Sequence, residues 1–84
     1  MNQMVKYYVI KRTARNDEQF TVIDAMSLDE ANAIFLVRHE RDTDAMKKGE
    51  EFLIFEADEK LEIDENNRVL LPTKGEMMIY RKPS

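Results

Sequence analysis

Carboxylates are the side chains of this chain that are placed most densely for chemistry. Residues 50–65 contain eight aspartates and glutamates, and hard cations such as Ca²⁺ bind clustered oxygen atoms. An EF-hand loop, however, places acids at alternate positions around a central glycine, whereas residues 58–67 contain no glycine. The spacing therefore predicts no metal site.

Two interpretations remain for this acidic segment. It forms either a solvated surface of turns and strands, or a surface that meets a basic groove on a partner protein, as nucleic acid would. The acids that we expect to form the second kind of surface are Glu56, Asp58, Glu59, Glu62 and Asp64.

The chain contains few of the groups that nucleophilic catalysis requires. His39 is the only histidine, and a position in the last turn of a helix explains it, because the helix dipole favours a cation there. The serines are Ser27, which fits a helix cap, and Ser84, and the chain contains no cysteine. With only Gly49 and Gly75, neither a phosphate-binding loop nor a dinucleotide-binding motif can form. The sequence therefore predicts a protein that is not an enzyme and uses no cofactor.

A β-hairpin is the first element that would position these groups. Aromatic and β-branched residues dominate from Val5 to Thr13 and again from Phe20 to Ile23, as is typical of strands near the centre of a sheet. Turn-forming residues 15–18 separate the two runs. We therefore expect a hairpin from about Val5 to Ala25.

A helix follows the hairpin. Ser27 and Glu30 have the spacing of a capping box, in which each side chain bonds to a backbone amide, with Glu30 reaching the amide of Ser27. Residues 23–31 resemble the strand-to-helix junction of many small ββα modules, from ribosome-associated proteins to short phage proteins. The resemblance implies a cap and a helix start and transfers no site residue. We expect the helix to extend to about Glu40.

This predicted helix carries apolar residues on two sides. One side should cover the hairpin, as in an amphipathic surface helix, and consists of Leu28, Ala31, Ile34 and Phe35. The opposite side, where polar residues are expected, consists of Ala33, Leu36 and Val37. Either residues 41–49 fold back over this second side, or it is the contact surface for a partner or a second copy.

The remaining elements are mostly strands. Residues 43–49 predict one further helical turn that Thr43 or Asp42 caps and Gly49 ends. Alternation predicts a strand at 51–57, a second hairpin within 61–71 and a last strand at 77–81. The order β-β-α-β-β-β indicates an α+β fold, a small antiparallel sheet with one helix packed across one face.

Length and composition limit what surrounds this fold. Eighty-four residues allow a single domain, 1–84. The absence of cysteine, of a signal-peptide pattern and of a long apolar stretch predicts a soluble, cytoplasmic protein that does not enter a membrane.

The net charge of −4 is unevenly distributed, because sixteen of the seventeen acids fall in residues 16–65 and both ends are basic. Pairing of the terminal strands with the middle of the chain would neutralise these charges across the sheet.

The basic ends also suggest two further binding sites. In an oligomer they could form a pocket for a small anion such as a nucleotide, using Lys6, Arg12, Lys74 or Arg81. Alternatively, the bases of the first hairpin, interleaved with Tyr7 and Tyr8, could bind nucleic acid, although the negative net charge opposes that function.

A binding protein without catalytic activity is the function that the sequence favours. We expect a protein-partner inhibitor or adaptor of bacterial or phage type that acts through the second side of the helix and the acidic 50–65 segment. Homodimerisation remains possible. The alternatives are the oligomeric sponge for an anionic ligand and the nucleic-acid-binding module described above.

Overall fold

A four-stranded antiparallel sheet with helices across one face makes up the computed structural model, which describes residues 3–82. The strands are β1 (Val5–Arg12), β2 (Asp17–Ala25), β3 (Glu51–Glu56) and β4 (Met77–Arg81). Their order across the sheet is β2-β1-β3-β4. The helices are α1 (Leu28–Arg38) and the short α2 (Glu40–Asp44). The predicted α+β class is confirmed. Within residues 3–82, no helix has both the length and the apolar character that crossing a membrane requires.

Strand β1 lies in the interior of the sheet because both of its faces are apolar. It pairs with β2 from Val5 opposite Ala25 to Arg12 opposite Asp17, which confirms the predicted hairpin, and it pairs with β3 on its other side. Successive side chains of a strand point to opposite faces, and those of β1 enter two separate cores. The alternation in the sequence therefore reflects a strand that is covered on both sides.

The core under α1 is built on aromatic contacts. Phe35 of α1 and Phe52 of β3 are fully buried, with ring centroids 4.9 Å apart, and Phe20 of β2 meets both rings edge-on. The predicted inner stripe of α1 is confirmed, since its residues are buried in or packed against this core. Met46, which follows α2, completes the same core.

The start of α1 follows the predicted cap with one change. The Ser27 hydroxyl accepts a hydrogen bond from the Glu30 amide at 3.1 Å, but the Glu30 carboxylate accepts from the amide of Met26, not from that of Ser27. Helix α1 also ends at Arg38, earlier than predicted, because His39 leaves the helical conformation with φ −117° and ψ 33°. The further helical turn predicted at 43–49 lies earlier, at Glu40–Asp44.

The opposite face of the sheet is covered by residues 57–76, here called the covering segment. Its apolar side chains Leu61, Val69 and Leu71 pack with Ile10, Leu53 and Phe55 of the sheet in a second core. The hairpin predicted within 61–71 is therefore reduced to one bridge, between Ile63 and Val69. Burial of these apolar side chains on the sheet face stabilises this arrangement of the segment.

Candidate functional site

The covering segment is fastened to the first hairpin by one carboxylate. Asp17, at the start of β2, is only 3 % exposed. Its two oxygens accept hydrogen bonds from the side chains of Arg12 at 2.7 and 2.8 Å, from Arg68 at 2.8 Å and from the amide of Val69 at 3.0 Å. The Arg68 guanidinium also donates to the carbonyls of Thr13 and Ala14 at 2.8 and 3.1 Å. A buried carboxylate of this kind is stable only because every acceptor position is used.

These contacts shift the titration of Asp17. The hydrogen bonds from Arg12, and to a smaller extent those from Arg68 and the Val69 amide, together lower the pKa of the carboxyl from 3.8 to about 2, although burial opposes them. The same contact raises the pKa of Arg12. Asp17 therefore remains ionised over the whole physiological range.

The start of the covering segment is held by β1. The Ala57 amide donates to the Lys6 carbonyl at 2.8 Å, and the Tyr8 hydroxyl donates to the Glu59 carbonyl at 3.1 Å. The Tyr8 ring meets Phe55 edge-on with centroids 5.8 Å apart. Residues 57–59 and 68–69 of the segment are thus both attached to the hairpin, and the chain between these two points arches over the sheet.

A cleft of about 350 Å³ opens between this arch and the sheet. Its apolar lining comes from Tyr8, Phe55, Leu61, Leu70 and Leu71. This volume falls at the lower end of the range of ligand-binding clefts. The cleft is therefore large enough to accept one side chain of a partner on an apolar floor.

Carboxylates surround the cleft. Glu56, Asp58, Glu59 and Glu62 are among the lining residues, and all four are exposed. Glu56 lies opposite Tyr7 on the α1 face of β3, however, so the carboxylates at the cleft are those of Asp58, Glu59 and Glu62. Lys60 is the only base among the lining residues. Low-dielectric walls lined by charges of one sign concentrate the electrostatic field, so an excess of acids over bases at the cleft favours a cationic ligand over an anionic one.

The fifth predicted acid, Asp64, belongs to the fold and lies outside the cleft lining. Its carboxylate accepts hydrogen bonds from the amides of Asn66 and Arg68, at 2.8 and 3.0 Å, and closes the turn before Arg68. Asn67 in this turn has a left-handed φ of 60°. Asp64 thus positions Arg68 for its contact with Asp17.

The three residues on the second side of the helix differ in exposure. Leu36 is half-buried and packs against the core under α1, whereas Ala33 is exposed and Val37 is 79 % exposed. Leu36 is therefore less accessible to a partner than Ala33 and Val37, and the contact face formed by these three residues stays a prediction.

The cations proposed for an anionic ligand are distributed among separate ion pairs. Lys6 pairs with Asp24 at 3.1 Å, Arg12 with Asp17, and Arg81 with Glu51. Lys74 lies in the loop before β4. These three pairs show the predicted neutralisation of charge between strands of the sheet. The pocket proposed for a small anion thus has three of its four cations already bound to carboxylates of the chain.

The aromatic residues of the first hairpin are also occupied. Tyr7 is buried in the core under α1, and burial raises the pKa of its phenol, with Glu56 and Glu30 contributing. Tyr8 is half-buried and bonded to the covering segment. Neither ring is presented as a stacking platform for bases, which such binding requires.

A second depression lies where the sequence indicated no site. Arg15, Lys47 and Lys48 line a more open hollow of about 510 Å³ between the first hairpin turn and residues 47–50. The signal in the sequence was the pair of lysines before Gly49, but all three bases are exposed. The hollow therefore lacks a buried group that would fix a ligand.

Comparison with other proteins identifies no relative. No protein-family model matches the chain, and neither a curated protein nor a solved structure matches it significantly. Across residues 3–82, no three histidine, cysteine, aspartate or glutamate side chains are grouped so that they could hold a metal ion. The geometry of the acidic cleft is therefore the basis for assigning a function.

Proposed function

We propose that this protein is a non-catalytic binding module that captures a basic segment of a partner protein in the acidic cleft. The observation that carries the proposal is the position of three exposed acids, Asp58, Glu59 and Glu62, around an apolar floor. A lysine or arginine side chain could place its aliphatic part on that floor and its charge at the rim. A partner inhibited or recruited in this way fits the function class expected from the sequence.

The fixed shape of the arch supports the proposal. Tyr8 holds the segment near its start, at Glu59, and Asp17 holds it again at Arg68. A site whose backbone is already ordered loses less conformational entropy on binding than a loop that must fold around its ligand. The charges at the rim would mainly accelerate association and select basic partners.

The test uses a fluorescent peptide rich in lysine and arginine with one central leucine, and a matched acidic peptide of the same length. Fluorescence anisotropy should show binding of the basic peptide alone, with an affinity that falls as salt is added. The double variant Glu59→Lys/Glu62→Lys should weaken binding at least tenfold. The variant Glu18→Lys/Glu40→Lys has the same net charge but alters exposed acids on β2 and α2, and it should reduce binding much less.

Two substitutions of apolar residues by serine test whether the apolar floor of the cleft contributes to binding. Leu70 lines the cleft and is exposed, and Val37 is exposed on α1, so both can be replaced by serine without opening a core. Leu70→Ser should weaken binding and Val37→Ser should not. Equal loss with both charge variants, or loss with Val37→Ser alone, would reject the cleft as the site.

A further inference from the structure

Strand β4 is an edge of the sheet with few features that prevent pairing. It pairs with β3 on one side, and no strand within residues 3–82 pairs with its other side. Natural edge strands are usually interrupted by a bulge, a proline or an internal charge. The residues from Met77 to Tyr80 are all apolar or aromatic, and their register with β3 is regular.

The opposite edge, β2, does carry such protection. Its register with β1 shifts between Val9 and Ile10, so that Phe20 is an extra residue in the edge strand. A bulge of this kind bends a strand and interrupts the row of hydrogen-bonding groups. The difference between the two edges indicates that β4 is the edge available for pairing.

The sequence around β4 is complementary to itself. In an antiparallel pair centred on Ile79, Glu76 lies opposite Lys82 of the second copy at both ends. The Lys82 ammonium donates to the Asp44 carbonyl at 3.1 Å in the single chain, so this side chain would exchange a neutral acceptor for the Glu76 carboxylate, which accepts a stronger hydrogen bond. The apolar side chains meet in the middle. The positions opposite one another are Glu76 and Lys82, Met77 and Arg81, Met78 and Tyr80, and Ile79 with itself.

We propose that two copies of this chain associate through β4 to form one continuous eight-stranded antiparallel sheet. Two-fold symmetry then supplies each ion pair twice. Met77 and Ile79 are 37 % and 42 % exposed on the face opposite α1, and pairing would cover part of both. Since the two-fold axis is perpendicular to the sheet, the same face of each copy, with its acidic cleft, points in the same direction.

Charge reversal tests this register. Sedimentation velocity of the wild-type chain, at low ionic strength and from low micromolar to several hundred micromolar, should show a dimer that grows with concentration. Glu76→Lys and Lys82→Glu each place like charges opposite one another twice, and each should weaken the dimer about tenfold. The double variant Glu76→Lys/Lys82→Glu restores opposite charges and should restore the dimer. A wild-type chain that stays monomeric over this range, or a double variant no better than the single ones, would overturn the proposal.

A cysteine experiment tests the centre of the pair independently. The chain contains no cysteine, so Ile79→Cys introduces a single thiol that lies about 5 Å from its copy across an antiparallel pair. Val22→Cys is the matched control, since Val22 is 37 % exposed but lies on the bulged strand β2. Mild oxidation should link most of the Ile79→Cys chains and few of the Val22→Cys chains. Equal linkage of the two variants contradicts pairing through β4.

Discussion

Asp17 and Arg68 lie 51 positions apart in the sequence and form an ion pair at 2.8 Å. Arg68 belongs to the covering segment, and Asp17 begins the edge strand β2. This contact, with the Val69 amide beside it, decides where the covering segment crosses the sheet. The position of the acidic cleft therefore depends on a buried carboxylate that does not touch it.

Replacement of Asp17 should destabilise the whole fold. Asp17→Asn removes the charge that two arginines share and leaves at least one of their donors without an acceptor, so we expect a loss of about 2–3 kcal/mol in the free energy of unfolding. Urea denaturation followed by circular dichroism measures this. Asp24→Asn, which removes only the exposed pair with Lys6, should change stability by less than about 1 kcal/mol. Equal effects of the two variants would contradict the role assigned to Asp17.

Lowering the pH should remove the stabilisation of the fold that the ionised Asp17 carboxylate supplies. The pKa of Asp17 is lowered from 3.8 to about 2 in the folded chain, so the ionised form stabilises the fold fully above about pH 4 and loses this effect as the pH falls towards 2. The shift corresponds to about 2 kcal/mol. Urea titrations at successive pH values should show the decline in the wild type, and a smaller decline in Asp17→Asn. Parallel curves for the two proteins would show that other carboxylates cause the acid sensitivity.

Replacement of Asn67 should lower the stability of the fold more than replacement of its neighbour Asn66. Asn67 has a φ of 60°, a left-handed conformation that asparagine adopts more readily than alanine. Asn67→Ala should lower the free energy of unfolding by about 1 kcal/mol. Asn66→Ala, in the same turn but without a left-handed φ, should leave it nearly unchanged. Thermal or urea unfolding of the two variants distinguishes these effects, and identical stabilities would contradict the turn conformation.

A charge introduced at Leu36 should destabilise the fold, whereas a charge introduced at Val37 should leave its stability almost unchanged. Leu36→Asp places a carboxylate against the core under α1 and should destabilise the fold by about 2–3 kcal/mol. Val37→Asp changes a side chain that is 79 % exposed and should alter stability by less than about 0.5 kcal/mol. Both values come from urea denaturation. If Val37→Asp also unfolds the chain, Val37 is covered in solution by something outside residues 3–82.

The strands and the first helix were predictable because local patterns determine them. Alternation identified β1, β3 and β4, and the pairing of Ser27 with Glu30 identified the start of α1 to within one residue. The second hairpin was less predictable. Its apolar residues alternate with polar ones because one side of the segment is buried, as in a strand. Here, however, that side packs on a sheet face, and the segment forms a single bridge of its own.

The sequence by itself determined the class of fold and the acidic character of residues 50–65, because these depend on residue types and short-range spacing. Tertiary structure alone decided which acids line the cleft and that Leu36 packs against the core. It also decided which strand edge is open. Each of these facts arises from contacts between residues distant in the chain, such as Asp17 with Arg68 and Tyr8 with Glu59, and spacing along the sequence does not encode which distant groups will meet.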